Sequence, residues 1–261
     1  MLRAVHTAAT GMEAMQTNID NVANNMANVN TTAYKKSNAE FQDLYYQNIR
    51  QPGTQITADQ VAPVGVQVGV GVKTAAVSKD FSQGSVKATG NKYDVMIQGD
   101  GFFSVQKENG EVVYTKDGSM KIDAGGRLMT SSGHLLLPPI TIPPGTADVT
   151  IAPTGIVSAK DSQGKETQVG QIEIVSFVNP AGLSAIGNNE YQVSESSGAP
   201  TQGQPGTGSL GTLIQGSLES SNVNIVNEMV NLIQAQRAYE MNSKVMSAAD
   251  QMLQVSTNVI K

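Results

Sequence analysis

The sequence predicts an α+β protein, with an N-terminal and a C-terminal helix that form a coiled-coil-like pair and an antiparallel all-β domain inserted between them in sequence. Two observations predict this class. Apolar residues recur at helical spacing at both ends of the chain, whereas the middle alternates apolar and polar residues between closely spaced turn signals. With 261 residues, the chain is long enough for one large domain or two modest ones.

The N-terminal segment, residues 1–32, is expected to be a coiled-coil helix from near Met1 to about Asn28. Its apolar residues fall at alternating steps of three and four, which is an a/d heptad pattern sustained over about four heptads. Asparagines and threonines follow, and they favour the end of a helix because their side chains bond to nearby backbone. The predicted N-terminal seam consists of Val5, Ala8, Met12, Met15, Ile19, Val22, Met26 and Val29.

Residues 33–72 are expected to form an extended connector or arm, because much of this stretch is polar and has little to bury. Residues 73–217 are expected to form the β-domain, and the sequence leaves both a sandwich and a barrel open. Within it, the pattern predicts a hairpin at residues 95–105, strands at 111–115, 120–122 and 171–178, and a loop at 194–211.

The C-terminal segment, residues 218–261, is expected to be a helix that packs with residues 1–32. Asn222 or Asn224 is its predicted cap, and Glu228 in the first turn suits the helix dipole. The two apolar seams are expected to bury each other and to face copies of the chain with their remaining width. The predicted C-terminal seam consists of Leu218, Ile225, Leu232, Tyr239, Met246, Leu253 and Ile260, widened by Val245, Met252 and Val259.

Composition excludes several classes of function. The net charge is −5 and the basic residues are scattered, so a basic face for nucleic acid is not expected. The absence of cysteine excludes disulfides and thiolate metal sites. No apolar run approaches the roughly 18 residues that a membrane span requires, so no membrane insertion is expected. The N-terminus also lacks the pattern of a signal peptide.

Catalytic and cofactor-binding residues are not predicted. His6 and His134 are far apart and lack a spaced partner set, so each is interpreted as a polar surface residue rather than a metal ligand. Aspartates such as Asp117 and Asp123 stand beside glycine in turns, where their bonds to nearby backbone are a sufficient explanation. The chain is therefore expected not to be an enzyme and to need no cofactor or metal.

Several segments resemble motifs of the axial proteins of the bacterial flagellum, the rod and hook subunits. Residues 23–35 resemble the N-terminal signature of that family, and residues 98–103 with 114–119 resemble its β-domain motif. Residues 50–53 and 230–240 are most similar to the distal rod members. The chain departs from the family pattern at Ala33, where glycine is usual, and at Met120, where an aromatic residue is usual. The motif residues are Asn24, Asn25, Asn28, Asn30, Thr31, Tyr34, Gln236, Arg237 and Tyr239.

The resemblance implies a structural subunit that polymerises into the hollow, helical distal rod of the basal body and transmits torque from motor to hook. It implies, as partners, further copies of the chain, proximal rod subunits, hook subunits or the hook–rod junction, the surrounding P and L ring proteins, and the export apparatus. It also implies type III export without a cleaved signal peptide and a rod that spans the periplasm. The alternatives are a proximal rod or hook subunit, or a secreted cell-wall-binding protein.

Overall fold

A computed structural model describes residues 2–53, 55–57, 60–61 and 63–259. Helix α1 spans Leu2–Ala27 and helix α2 spans Ile225–Val259, and all strand pairs between them are antiparallel in the described residues. The predicted α+β class is therefore confirmed. Contacts divide the chain into a helical unit, made of the described residues in 2–27, 37–79 and 224–259, and a β unit, made of residues 28–36 and 80–223.

The helical unit contains six strands as well as both helices. Strand β1 pairs with β6, β2 with β5, and β3 with β4. The predicted connector at residues 33–72 is thus largely paired strand, and the predicted boundary at 73 falls inside β6. These strands pair through main-chain hydrogen bonds. The prediction of a connector was based on the lack of apolar side chains to bury, which does not report on main-chain pairing. The strands are β1 (Ser37–Asp43), β2 (Tyr46–Arg50), β3 (Gln55–Thr57), β4 (Gln60–Val61), β5 (Val66–Gly69) and β6 (Val72–Lys79).

The β unit contains the remaining sixteen described strands, nine of them in one antiparallel sheet. That sheet has the order β11-β12-β13-β9-β10-β19-β18, and β17 joins it by pairing with both β9 and β20. The strands are β7 (Val86–Ala88), β8 (Val95–Gln98), β9 (Phe102–Gln106), β10 (Val112–Thr115), β11 (Met120–Ile122), β12 (Leu128–Thr130), β13 (Leu135–Leu137), β14 (Thr146–Ile151), β15 (Ile156–Asp161), β16 (Glu166–Gln171), β17 (Ile174–Ser176), β18 (Ser184–Gly187), β19 (Glu190–Gln192), β20 (Thr201–Gly203), β21 (Thr212–Gln215) and β22 (Ser217–Glu219).

Two clusters of buried side chains stabilise the β unit. The larger one is mostly aliphatic and includes Val95, Ile97 and Phe103 from β8 and β9. Met120 lies in this cluster and is buried, so a flexible thioether fills the place of the aromatic residue that is usual in the family. The smaller cluster is aromatic and is built around Phe102, where neighbouring rings meet edge to face.

Two predictions about the β-domain strands are wrong. Residues 95–105 do not form a hairpin, since β8 pairs with β21 while β9 pairs with β10, β13 and β17. Gly99 and Gly101, with φ of 109° and 143°, carry the chain from one set of partners to the other. Residues 171–178 are likewise divided between β16 and β17, because sequence periodicity does not specify which strands pair.

The C-terminal helix begins at Ile225, as a cap at Asn224 predicts, so residues 218–224 of the predicted C-terminal segment precede it. Leu218 lies in β22 and pairs with Lys87 of β7, so its agreement with the heptad spacing is coincidental. Asn224 caps the helix, because its side-chain oxygen accepts hydrogen bonds from the backbone N–H groups of Val226 and Asn227. The alternative cap, Asn222, instead donates to the Asp80 and Ser82 carbonyls within the β unit.

Candidate assembly surface

Helices α1 and α2 pack against each other in antiparallel fashion within the helical unit. The side-chain amide nitrogen of Asn25, near the end of α1, lies 3.5 Å from a carboxylate oxygen of Glu228 at the start of α2. Near the middle of the pair, a Cβ added to Gly11 would lie 2.8 Å from the side-chain amide nitrogen of Asn242. Gly11 therefore permits the close approach of the two helices at this point, which offsets its low helix propensity.

The side of α2 that faces α1 carries a row of small and polar residues that sequence reasoning missed. Glu228, Ala235 and Ala249 are buried, and Asn242 is half-buried. These four residues repeat every seventh position, like the predicted apolar seam beside them. The seven-residue spacing of this row is visible in the sequence. A search for large apolar residues does not detect it, because the row consists of alanine, asparagine and glutamate. The predicted seam residues on this side of α2 are the half-buried Leu232, Met246 and Leu253.

On α1, the predicted seam lies at the border of the buried face rather than at its centre. Val22 is buried, and so is Ala14, which was not predicted. Val29 falls after the end of α1 and belongs to the β unit. Ala8 is also buried. The remaining predicted residues on α1 are half-buried, and they are Val5, Met12, Met15, Ile19 and Met26.

A second apolar face of α2 is exposed, and we call it the outer face. At 100° per residue, Val226, Val230 and Ile233 lie about 140–160° from the row that faces α1, and the other members lie about 50–120° from it. Val245 and Met252, predicted to widen the seam, belong to this face, whereas the side chain of Val259 and all of Ile260 lie outside the described residues. Ile225 and Tyr239 of the predicted seam are also exposed. The outer face consists of Val226, Met229, Val230, Ile233, Met241, Val245, Met252 and Val255.

Each helix carries a pair of like-charged residues on its exposed side, and the members of each pair are seven positions apart. Arg237 and Lys244 lie seven residues apart on the outer face of α2, where Gln236 and Arg237 line a shallow depression with Ile233 and Met241. On α1, the exposed row opposite the buried face has two acidic residues, also seven apart, among small or polar ones. We call this row, which consists of Ala9, Glu13, Gln16, Asp20, Ala23 and Ala27, the acidic row.

The asparagines of the N-terminal motif have different environments. The side chain of Asn25 is 1% exposed and bonds both backbone groups of Ser37, accepting from its N–H and donating to its carbonyl, each at 2.9 Å. Asn28 accepts a hydrogen bond from the Thr31 hydroxyl, while Asn24 and Asn30 are exposed. Asn25 therefore attaches the first strand of the helical unit to α1.

The rest of the motif belongs to the β unit and includes Lys35, which forms a buried ion pair that sequence reasoning missed. The Lys35 ammonium lies 2.6 Å from the Glu219 carboxylate and donates a second hydrogen bond, of 2.7 Å, to the Ser82 carbonyl. Tyr34 is buried beside it in sequence. Ala33 has a φ of 55°, in the left-handed region that favours glycine, and its N–H donates to the Glu219 carbonyl at 2.8 Å.

Neither histidine lies in a cluster of potential metal ligands. His134 is partly buried and its Nδ1 lies 2.6 Å from a Glu190 carboxylate oxygen, while Nδ1 of the exposed His6 lies 3.2 Å from the Val70 carbonyl oxygen. In the part of the chain that the structure describes, no three acidic, histidine or cysteine residues gather at a metal-binding distance. Neither helix, over its described length, is apolar enough to cross a membrane.

The paired strands β2 and β5 expose a second set of apolar residues. Every residue of β2 is exposed, and Tyr45, immediately before it, is 92% exposed. A two-stranded antiparallel ribbon is only marginally stable without a surface to cover it. We call this set, which consists of Tyr45, Tyr46, Ile49, Val64 and Val66, the exposed ribbon.

Comparisons with known proteins find similarity to flagellar proteins. A family profile described as "Flagellar hook protein FlgE/F/G D1 domain" matches residues 96–159, and one described as "Flagellar basal body rod FlgEFG protein C-terminal" matches residues 214–259. The chain is similar to proteins named "Flagellar basal-body rod protein FlgG" from three bacteria. It is 48% identical to the Borreliella burgdorferi protein, with 99% of each chain covered, 44% identical to that of Agrobacterium fabrum, with 100% covered, and 37% identical to that of Bacillus subtilis, with 99% covered.

Proposed function

Because the chain belongs to the flagellar basal-body rod protein family and is a structural subunit of the rod, we propose that it polymerises by placing the outer face of α2 against the acidic row of α1 in the next copy. The observation that carries this proposal is the apolar outer face, which α1 leaves uncovered within one chain. An exposed apolar face of this length is typical of a surface that a partner buries.

The contact joins two different surfaces of the chain, so it is heterologous. A heterologous contact repeats from copy to copy and produces an open helical polymer unless its rotation closes a ring. An isologous contact between two outer faces would stop at a dimer. The pairing of unlike faces is therefore the arrangement that suits a rod.

Charge complementarity specifies the register. If neighbouring copies have the same orientation, α2 of one copy lies antiparallel to α1 of the next, as the two helices do within one chain. Because both charged pairs have a spacing of seven, Asp20 can meet Arg237 while Glu13 meets Lys244. Exposed ion pairs contribute only about 0.2–1 kcal/mol each, so these pairs select the register while apolar burial supplies most of the stability.

The sizes of the side chains fit this register. It places Ile233 and Val230 of one copy over Ala23 and Ala27 of the next, so large apolar groups meet small ones. Methionines on the same face adapt to small differences in packing, which suits a polymer that also meets other types of subunit. The exposed ribbon is a second surface that a neighbouring copy would cover.

Charge reversal and rescue test the proposed contact. Arg237→Asp places a carboxylate opposite Asp20, and we expect the concentration needed for assembly to rise about threefold to tenfold. Adding Asp20→Arg restores the opposite charges and should restore assembly. Sedimentation velocity over a series of protein concentrations measures both effects. Lys160→Asp, an exposed change in the β unit, is the control and should assemble like the unmodified chain.

Failure of the rescue would overturn the proposed register, as would unchanged assembly of the Arg237→Asp variant. An unmodified chain that stays monomeric at every concentration would overturn the proposed contact itself. Raising the salt concentration should weaken the charge effect, because exposed charges are screened over about 8–10 Å at ordinary ionic strength.

We extend the proposal to the distal part of the rod, where the subunit would transmit torque through packed side chains. Its partners there would be proximal rod subunits, hook or junction subunits, the surrounding ring proteins and the export apparatus, in a rod that crosses the periplasm. The support is the similarity to proteins named as basal-body rod proteins. The family is structural, and we propose no catalytic role for it.

A further inference from the structure

Lys116 lies in the β unit immediately after strand β10, and it is only 4% exposed. Its ammonium nitrogen lies 5.3 Å from the centre of the Phe102 ring. It donates one long hydrogen bond, of 3.4 Å, to the Gly99 carbonyl. An ammonium group has three donors, and no carboxylate of the described residues lies within ion-pair distance of this one. Lys116 is therefore a buried cation with weak compensation.

A cavity of about 230 Å³ has Lys116 in its lining. Its walls combine polar groups with the rings of Phe81, Phe102 and Phe177 and the side chain of Val178. Lys116 and Asp100 are the charged residues in the lining. Val178 and Ser209 are exposed, so the cavity is accessible from solvent on their side.

The electrostatic environment favours the neutral amine. Burial lowers the pKa of Lys116 to about 8, and the nearby charge of Lys35 acts in the same direction, whereas Glu219 and Asp100 oppose it. Glu219 is already in contact with Lys35 at 2.6 Å, so it is not available as a direct partner. Near neutral pH, such a lysine has a neutral fraction on the order of a hundredfold larger than an ordinary lysine.

We propose that Lys116 is a nucleophilic amine and that the cavity beside it is an acylation site for a small, neutral activated ester or thioester with a short aliphatic acyl group. The aromatic walls suit the acyl chain, and the cavity volume limits its length. The carboxylate of Asp100 in the lining disfavours anionic donors. The surface that the proposed function uses is not involved.

The reaction transfers an acyl group without any oxidant or metal. The amine nitrogen attacks the acyl carbonyl carbon, an N–C bond forms, and the bond from that carbon to the leaving oxygen or sulfur breaks. The leaving group departs as its anion, and the proton lost by nitrogen passes to water. The product is an uncharged amide, which removes a buried positive charge. Acylation is thus more favourable at Lys116 than at an exposed lysine.

Acetylation of the full-length chain by p-nitrophenyl acetate at pH 7.5, followed by mass spectrometry of each lysine, tests the proposal. We expect Lys116 to react at least about tenfold faster than the exposed Lys121, with a rate that levels off above pH 8. Lys35 is the matched control, because it is buried but does not line the cavity. A Lys116 rate no higher than that of Lys121 would overturn the proposal. Equal rates at Lys116 and Lys35 would also do so, since they would indicate reaction through unfolding.

A second variant tests the route through the cavity. Ser209→Trp adds a large side chain at the exposed edge of the lining and should slow acetylation of Lys116 at least fivefold, with no change at Lys121. Circular dichroism verifies that the variant retains its strands. If its Lys116 reacts at the unmodified rate, the cavity does not deliver the donor and the proposed site is wrong.

Discussion

The side-chain amide of Asn25 bonds both the N–H and the carbonyl of Ser37, at 2.9 Å each, and so continues the hydrogen-bond pattern of a strand with a side chain. Asn21 donates a further hydrogen bond, of 2.8 Å, to the same carbonyl. Ser37 is the first residue of β1, which pairs with β6 along its length. One buried asparagine therefore sets where the strands of the helical unit begin relative to α1.

Replacing Asn25 by leucine should destabilise the helical unit by about 2–4 kcal/mol. Leucine has a similar size but leaves the N–H and one bond of the Ser37 carbonyl unsatisfied, and each lost buried partner costs about 1–3 kcal/mol. Amide hydrogen exchange should show loss of protection at Ser37 and along β1. Gln16→Ala, an exposed change on the same helix, is the control and should leave exchange in β1 unchanged. Retained protection at Ser37 in the Asn25→Leu chain would refute the assigned role.

At Ala33, glycine should be tolerated and valine should not. The φ of 55° is costly for a β-branched residue, whereas glycine adopts it freely. In the glycine variant, the loss of one buried methyl group offsets part of the stability gained by relieving the backbone strain. We expect Ala33→Gly to change the free energy of unfolding by less than about 1 kcal/mol, and Ala33→Val to lower it by more than about 2 kcal/mol. Urea unfolding measures both values, and a stable Ala33→Val variant would contradict the assigned backbone conformation.

The Lys35–Glu219 ion pair predicts strongly non-additive effects of substitution. Removing either partner leaves a buried charge, at a cost of about 3–5 kcal/mol. We expect Lys35→Met and Glu219→Leu each to destabilise the β unit by such an amount. The double variant Lys35→Met/Glu219→Leu should lose much less stability than the sum of the two single losses, because neither buried charge remains. Chemical unfolding of the four chains forms a double-mutant cycle, and additive losses would show that the two groups do not interact.

Replacing Lys116 by methionine should stabilise the chain at pH 7, and the gain should shrink as the pH rises. The pKa of Lys116 is lowered from 10.5 to about 8, mainly by burial, so between these values the unfolded chain binds more protons and stability rises with pH. Below pH 8 the folded chain carries the full cost of a buried charge, which methionine removes. We expect a gain of about 1–3 kcal/mol at pH 7 that falls towards zero by pH 10.5. A difference that does not vary with pH would contradict the lowered pKa.

The sequence predicts those parts of the fold that local periodicity determines. Heptad spacing located both helices, and Asn224 was one of its two predicted caps. The face of α2 that packs on α1 was harder to predict. Its buried row does not consist of the large apolar residues that are typical of a core, but of Glu228, Ala235, Asn242 and Ala249. The large apolar residues of α2 are spread around most of its circumference, so a list of apolar positions does not indicate which face meets α1.

Long-range pairing accounts for most of the remaining differences. The strands at residues 37–79 are recognised only by which backbone groups they bond, and the 95–105 segment divides between sheets although its local pattern suits a hairpin. The ion pair of Lys35 joins residues 184 positions apart, which no local rule can detect. Ala33 was recognisable because glycine is usual there in the family, and the positive φ gives that preference its physical reason.

Disulfide cross-linking between the two exposed faces tests the account most directly. The natural chain has no cysteine, so Asp20→Cys and Arg237→Cys introduce the only two thiols in each chain. These positions lie on opposite sides of the helix pair and cannot join within one chain. Oxidation of the concentrated protein should therefore give a ladder of oligomers on a non-reducing gel. The control, Gly11→Cys/Asn242→Cys, should form its disulfide within one chain and remain monomeric. A double variant of the exposed faces that stays monomeric, or that stops at a closed dimer, would contradict the account.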